Sequence, residues 1–110
     1  MRIKLKKHDY NFDNDYLEAL FTGRQTKGKP LYDASVIKKF AKTIKILQFA
    51  ENISEIRALK GLNFEALKGN LAGKYSVRVD IKYRLILRVE KDVVMVETVL
   101  IVEDLTNHYK

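Results

Sequence analysis

The sequence contains no cysteine. That excludes a disulfide framework, a cysteine nucleophile and any zinc site built on thiolates. Histidine is nearly absent too: only His8 and His108 occur, so a multi-histidine metal site is not expected. No metal and no cofactor is therefore expected. No stretch approaches the roughly 20 apolar residues that a membrane helix needs. The opening MRIKLKKHDY lacks the apolar run of a secretory signal. A cytoplasmic chain without membrane contact is expected. Proline occurs once, at Pro30, inside the basic stretch GRQTKGKP (residues 23–30), which reads as the one clear loop. There is no internal repeat and no low-complexity segment.

The chain has 110 residues, so a single domain over 1–110 is expected, large enough to bury a core without covalent or metal staples. Its net charge is +7, which points to a polyanionic partner or substrate. The charge is uneven: residues 1–50 carry 11 Lys/Arg against 5 Asp/Glu, and residues 51–110 carry 10 against 9. A solvated, lysine-rich surface would account for the charge equally well.

Residues 1–7 alternate basic and apolar, the period of a half-exposed strand. Asn14 or Asp15 can cap a short helix carrying Tyr16, Leu17, Leu20 and Phe21, with Gly23 to stop it. Asp33 or Ser35 can cap a longer helix whose apolar positions Val36, Phe40, Ile44 and Leu47 form one stripe. Lys38, Lys42 and Lys45 fall on another face, which is either the wet side of an amphipathic helix or a surface that tracks phosphates. Residues 53–59 suggest a further helical turn or two before Gly61. The pattern then changes to alternation: Tyr75, Val77 and Val79, then Tyr83, Leu85, Leu87 and Val89. Residues 93–102 are nearly all apolar, as an interior strand covered on both faces would be. The expected class is α+β, an N-terminal strand and helices packed on one face of a small antiparallel sheet.

The strands at 75–79 and 83–89 are joined by a very short connection and should form a hairpin. A turn centred on Ile81 puts Arg78 directly opposite Arg84, both pointing away from the face of Val77, Val79, Leu85 and Leu87. Opposed like charges on a sheet are unfavourable. Either a carboxylate such as Asp80 or Glu65 neutralises them, or the pair waits for a phosphate, which the planar fork of arginine suits. On the polar face of a hairpin, Arg84 should contribute little packing beyond its stem. A carboxylate at Glu65 can act as general base if it reaches a hydroxyl. Taken in isolation, it reads as half of a surface pair with Lys68. His108, close to the chain end, is the side chain best placed to donate a proton near neutral pH. Cleaving RNA without metal needs a base for the 2′-hydroxyl, cations for the phosphorane and an acid for the leaving 5′-oxygen. Glu65, then Arg78 with Arg84 and Lys68, then His108 could supply them.

The segment Glu65-Ala-Leu-Lys68, continuing through Gly73-Lys-Tyr75-Ser76-Val-Arg78 to Tyr83-Arg84-Leu85-Ile86, resembles the core of YoeB toxins in the RelE/ParE superfamily. The ending Asn107-His108-Tyr109 resembles their His-Tyr terminus. The front half, with Tyr16-Leu17 and the lysine-rich stretch after Pro30, is more similar to HigB-type toxins. The resemblance implies the toxin of a type II toxin–antitoxin system, with a RelE-like fold and ribosome-dependent endoribonuclease activity on messenger RNA. It implies Glu65 as base, Arg84 as phosphate stabiliser, His108 as acid and Tyr109 as a further contributor, with Lys68 and Arg78 binding phosphate. It also implies an antitoxin partner, a small helix-turn-helix protein. The ParE branch shares the fold but inhibits DNA gyrase by binding, and the presence of Glu65, Arg84 and His108 argues against that alternative. A basic RNA- or protein-binding domain without activity is the third reading.

Overall fold

A computed structural model describes residues 2–4, 12–92 and 97–107, with side chains over 12–91 and 98–107. The elements are β1 (Arg2–Lys4), α1 (Asp15–Thr22), α2 (Ala34–Phe49), α3 (Ile53–Ala58), β2 (Glu65–Ala66), β3 (Lys74–Arg78), β4 (Arg84–Asp92) and β5 (Glu97–Thr106). The α+β architecture is the expected one.

Helix α1 starts where the Asn14 side chain accepts the Leu17 N–H at 3.1 Å. It stops at Gly23, whose φ of 79° closes the last turn through its N–H to the Ala19 carbonyl. Asp33 precedes α2 in extended conformation without a side-chain cap bond. Helix α2 is held by tertiary contact, because Val36, Phe40, Ile44 and Leu47 are all buried along one stripe. Asn52 caps α3 by accepting the Glu55 N–H at 2.9 Å.

The sheet order is β1-β5-β4-β3-β2. Strands β2 to β5 pair antiparallel, as expected, whereas β1 joins parallel to β5, with Ile3 opposite Thr98. The helical region lies between them in the chain, and a parallel neighbour requires such a crossover off the sheet. Phe12 lies on the same edge, where it bridges Val102 in parallel, and the Asp13 N–H donates to the Val102 carbonyl at 2.7 Å. One sheet face, carrying Val77, Leu85, Leu87, Leu100 and Val102, packs on the helix stripe. Every residue from Thr98 to Val102 is buried, so β5 is covered on both faces as its composition demands. The expected strand at 93–102 is observed as 97–106, and residues 93–96 lie outside the described residues. Its polar end, Glu103 to Thr106, continues the ladder.

That continuation depends on a bulge. Ile86 pairs with Asp104 but Leu87 pairs with Val102, so Glu103 is the extra residue. Its carboxylate meets Lys74 Nζ at 2.6 Å and the Arg88 guanidinium. Lys74 sits directly across from Arg88, so Glu103 separates two opposed cations. Removing its charge with Glu103→Gln should lower stability by about 1 kcal/mol, since the carboxylate is largely buried but both cations are partly exposed and Arg88 keeps Glu90. Urea denaturation checks this, and a change of only a few tenths would mean that the two cations separate unaided.

Candidate functional site

The β3–β4 turn is fixed by Asp80. Its carboxylate accepts the backbone N–H of Lys82 at 2.8 Å and of Tyr83 at 2.7 Å. Desolvation pushes this carboxyl up, but the donors at Tyr83 and Lys82, helped by the Lys39 and Lys82 charges, outweigh it and hold the group below its ordinary value. The turn sets the register, and Arg78 stands directly opposite Arg84 as the sequence predicts. Behind the strand ends, Tyr83 meets Tyr32 edge-on at 5.6 Å, and the Tyr32 hydroxyl donates to the Leu105 carbonyl at 2.7 Å. Burial, with the nearby Asp104 charge, pushes that phenol up to about 12.

The two arginines have different surroundings. Arg78 is exposed, and its Nε donates only weakly to the Asp80 backbone carbonyl, at 3.4 Å. Arg84 is 3% exposed. The expectation that it lies open on the hairpin's polar face, with little packing, is therefore corrected. Its Nε donates to Ser76 Oγ at 2.8 Å, and its Nη2 donates to the Asn63 carbonyl at 2.5 Å and the Ser76 carbonyl at 3.3 Å. The same Nη2 lies 3.4 Å from Glu65 Oε1. Arg84 is covered because residues 63–67 fold back along β3. Glu65 pairs across from Ser76, Ala66 pairs with Tyr75, and the Leu67 N–H donates to the Lys74 carbonyl.

Two features hold that segment down. Asn63 has a φ of 45°, a left-handed conformation that asparagine tolerates better than most residues, and it turns its carbonyl onto Arg84. Phe64 stacks on Tyr75 at 5.2 Å, with the Arg57 guanidinium 5.1 Å from the Phe64 ring centre. Glu65 thus stands on a short, pinned edge strand with 47% of its side chain exposed. Lys68, exposed, follows three residues on.

Glu65, Arg78 and Arg84 therefore share one end of one sheet face, around a guanidinium fixed by Ser76 and Asn63. Sequence reasoning gave Ser76 and Asn63 no role. The signals that could have found them are a small polar residue two positions before Arg78 on the same strand face, and an asparagine that follows Gly61-Leu62 at a turn. Strand β5 ends at Thr106, directly opposite Arg84. His108 and Tyr109 follow it along the chain and lie outside the described residues. Lys38, Lys42 and Lys45 are exposed on α2, and Lys42 lines a cleft that also reaches Arg78.

The family described as "RelE-like toxin of type II toxin-antitoxin system HigB" matches residues 10–101, a span that includes Glu65 and Arg84 but not His108. Toxin HigB-1 of Vibrio cholerae serotype O1 (strain ATCC 39315 / El Tor Inaba N16961) is 34% identical over 77 residues, covering 70% of this chain and 79% of that protein. A YoeB/ParE toxin from Agrobacterium tumefaciens superposes with a TM-score of 0.49 at 20% identity, over 99% of this chain and 100% of its own.

Proposed function

The chain belongs to the RelE-like HigB toxins of type II toxin–antitoxin systems, and from that premise we propose that it is a ribosome-dependent endoribonuclease that cuts messenger RNA without a metal. The observation that supports this is the Glu65–Arg84 pair, 3.4 Å apart, with Arg78 facing Arg84 across the ladder. A carboxylate that is half exposed can reach a substrate hydroxyl, while the guanidinium beside it is already desolvated and fixed. Preorganised donors of this kind stabilise charge that develops in a transition state without reorganising.

In the proposed reaction Glu65 takes the proton of the 2′-hydroxyl. The 2′-oxygen then attacks phosphorus, and the bond from phosphorus to the 5′-oxygen breaks. His108 gives its proton to that 5′-oxygen, and Tyr109 assists beside it. Arg84, Arg78 and Lys68 carry the charge on the phosphorane. The products are a 2′,3′-cyclic phosphate and a 5′-hydroxyl. The reading places the protein in the cytoplasm, off the membrane, with the ribosome and message as substrate and a cognate antitoxin as partner. Primer extension on ribosome-bound message after brief expression tests it, and discrete cuts within codons are expected. Intact message together with a supercoiling defect would overturn the reading in favour of a gyrase-binding toxin.

Lys38, Lys42 and Lys45 serve affinity for ribosomal RNA in this reading and take no part in the chemistry. Each phosphate they neutralise releases counterions, so binding should depend steeply on salt. Changing all three to Gln should weaken ribosome association and lower the log–log salt slope by roughly 1 for each phosphate no longer neutralised. Sedimentation with ribosomes between low and physiological salt reads this. An unchanged slope would leave the face as solvated helix.

A further inference from the structure

Two open depressions share a wall beside α2. The first, about 540 Å³, has Lys39, Lys42, Lys60 and Arg78 around it, and none of its lining residues is acidic. The second, about 450 Å³, continues from Ile46 and Leu59, which line both, to Phe49, with Glu55 also in its lining. Together they form a groove that is cationic at one end and apolar through its middle, with a carboxylate at the far end. Phe49 is 85% exposed and Leu59 44% exposed, although both are large and apolar. From Lys39 to Phe49 the groove follows ten residues of α2, about 15 Å at 1.5 Å per residue.

We propose that this groove is the docking site for an acidic amphipathic segment of the chain's antitoxin. Charge complementarity identifies the occupant. Four cations without a lining carboxylate attract carboxylates, and potentials of opposite sign speed and orient protein association. The apolar middle asks for aliphatic or aromatic side chains, and exposed aromatics of this kind anchor protein interfaces. A second copy of this chain would bring cations against cations. An RNA backbone would satisfy the lysines but leave Phe49 and Leu59 in water and set phosphate against Glu55. A segment of about ten helical residues fits, with acidic groups over Lys39 and Lys60, apolar ones over Phe49 and Leu59, and a cation near Glu55.

The cationic end includes Arg78, so an occupant there would cover a residue that the nuclease reading assigns to phosphate. The inhibitory consequence rests on that reading; the docking does not. Antitoxin and ribosome would then compete for the same end of the protein.

The test is calorimetric titration of purified cognate antitoxin into wild-type protein, Phe49→Ser/Leu59→Ser, and Lys39→Glu/Lys60→Glu. Thermal melts check each fold, and antitoxin-free cleavage of ribosome-bound message is measured in parallel. Both double variants should bind antitoxin at least tenfold more weakly, and the charge-reversed one should lose part of the salt dependence. Phe49→Ser/Leu59→Ser should keep wild-type cleavage and escape inhibition. If that variant melts early, Phe49→Ala alone carries the same test at a fully accessible position. Wild-type antitoxin affinity in a folded Phe49 variant overturns the proposal. So does loss of ribosome association with antitoxin affinity intact, which would make the groove an RNA surface. Calorimetry contains no cleavage step, so antitoxin binding through the groove by a protein that cuts no message would sink the nuclease reading and leave the docking site standing.

Discussion

Glu65→Gln and His108→Gln should each slow single-turnover cleavage of ribosome-bound message by about 10²–10⁴, the range for a positioned proton-transfer group. The double mutant should be slowed by less than the product of the two, because a base and an acid that serve one phosphate act as a unit. Ribosome affinity should persist in all three, since the cations and not the proton-transfer groups hold the RNA. Glu65→Gln keeps the size of the side chain and its place across from Ser76, so the edge strand survives the change. The amide can still accept from Arg84, but it cannot take up a proton. Near-normal cleavage by His108→Gln would remove the general acid from the mechanism. Normal cleavage by both single mutants would leave the nuclease without one.

Arg84→Ala should abolish detectable cleavage and also cost about 2–4 kcal/mol of stability, because removing one member of a buried charged network strands its partners. The stranded groups are Ser76 Oγ and the Asn63 carbonyl, with Glu65 losing its counter-charge. Loss of fold and loss of chemistry are separated by two milder changes. Arg84→Lys keeps the charge but gives up the fork that bonds Ser76 and Asn63 together, so it should recover stability more than rate. Ser76→Ala removes only the acceptor for Nε. It should lower the rate constant on the ribosome by roughly tenfold, about 1.4 kcal/mol, with affinity unchanged, and Ser76→Thr should restore part of it. Full cleavage by Arg84→Lys would make this arginine an architectural ion-pair member and shift the phosphate role to Arg78 and Lys68.

The hairpin and its two arginines were legible because alternation fixes which face a side chain takes, and a short turn fixes the register. Arg78 opposite Arg84 follows from those two rules alone. The helix stripe from Val36 to Leu47 was legible for a similar reason, since its spacing admits only one buried face. The burial of Arg84 was not legible. It depends on a two-residue strand, Glu65–Ala66, which is too short to show any period, and on the left-handed turn at Asn63 that aims it. The parallel placement of β1 was hidden as well, because a three-residue strand has the same alternation whichever way its neighbour runs. The extension of β5 past Val102 was hidden too, since a bulge at Glu103 lets the strand carry a charge where its apolar run ends.

Strand β5 lies between β1 and β4, yet of the described strands it is the last in the chain. During synthesis β1, the helices and the hairpin all emerge before the strand that joins them. Until it arrives, β4 presents an open edge to solvent and β1 has nothing to pair with. The pairings that complete the sheet connect opposite ends of the sequence, the kind that form late and slowly. A message truncated anywhere before the β5 codons would therefore yield a polypeptide that cannot close its sheet. Such a fragment would keep its strand edges unpaired and would be an open, protease-accessible chain and not a partly folded domain.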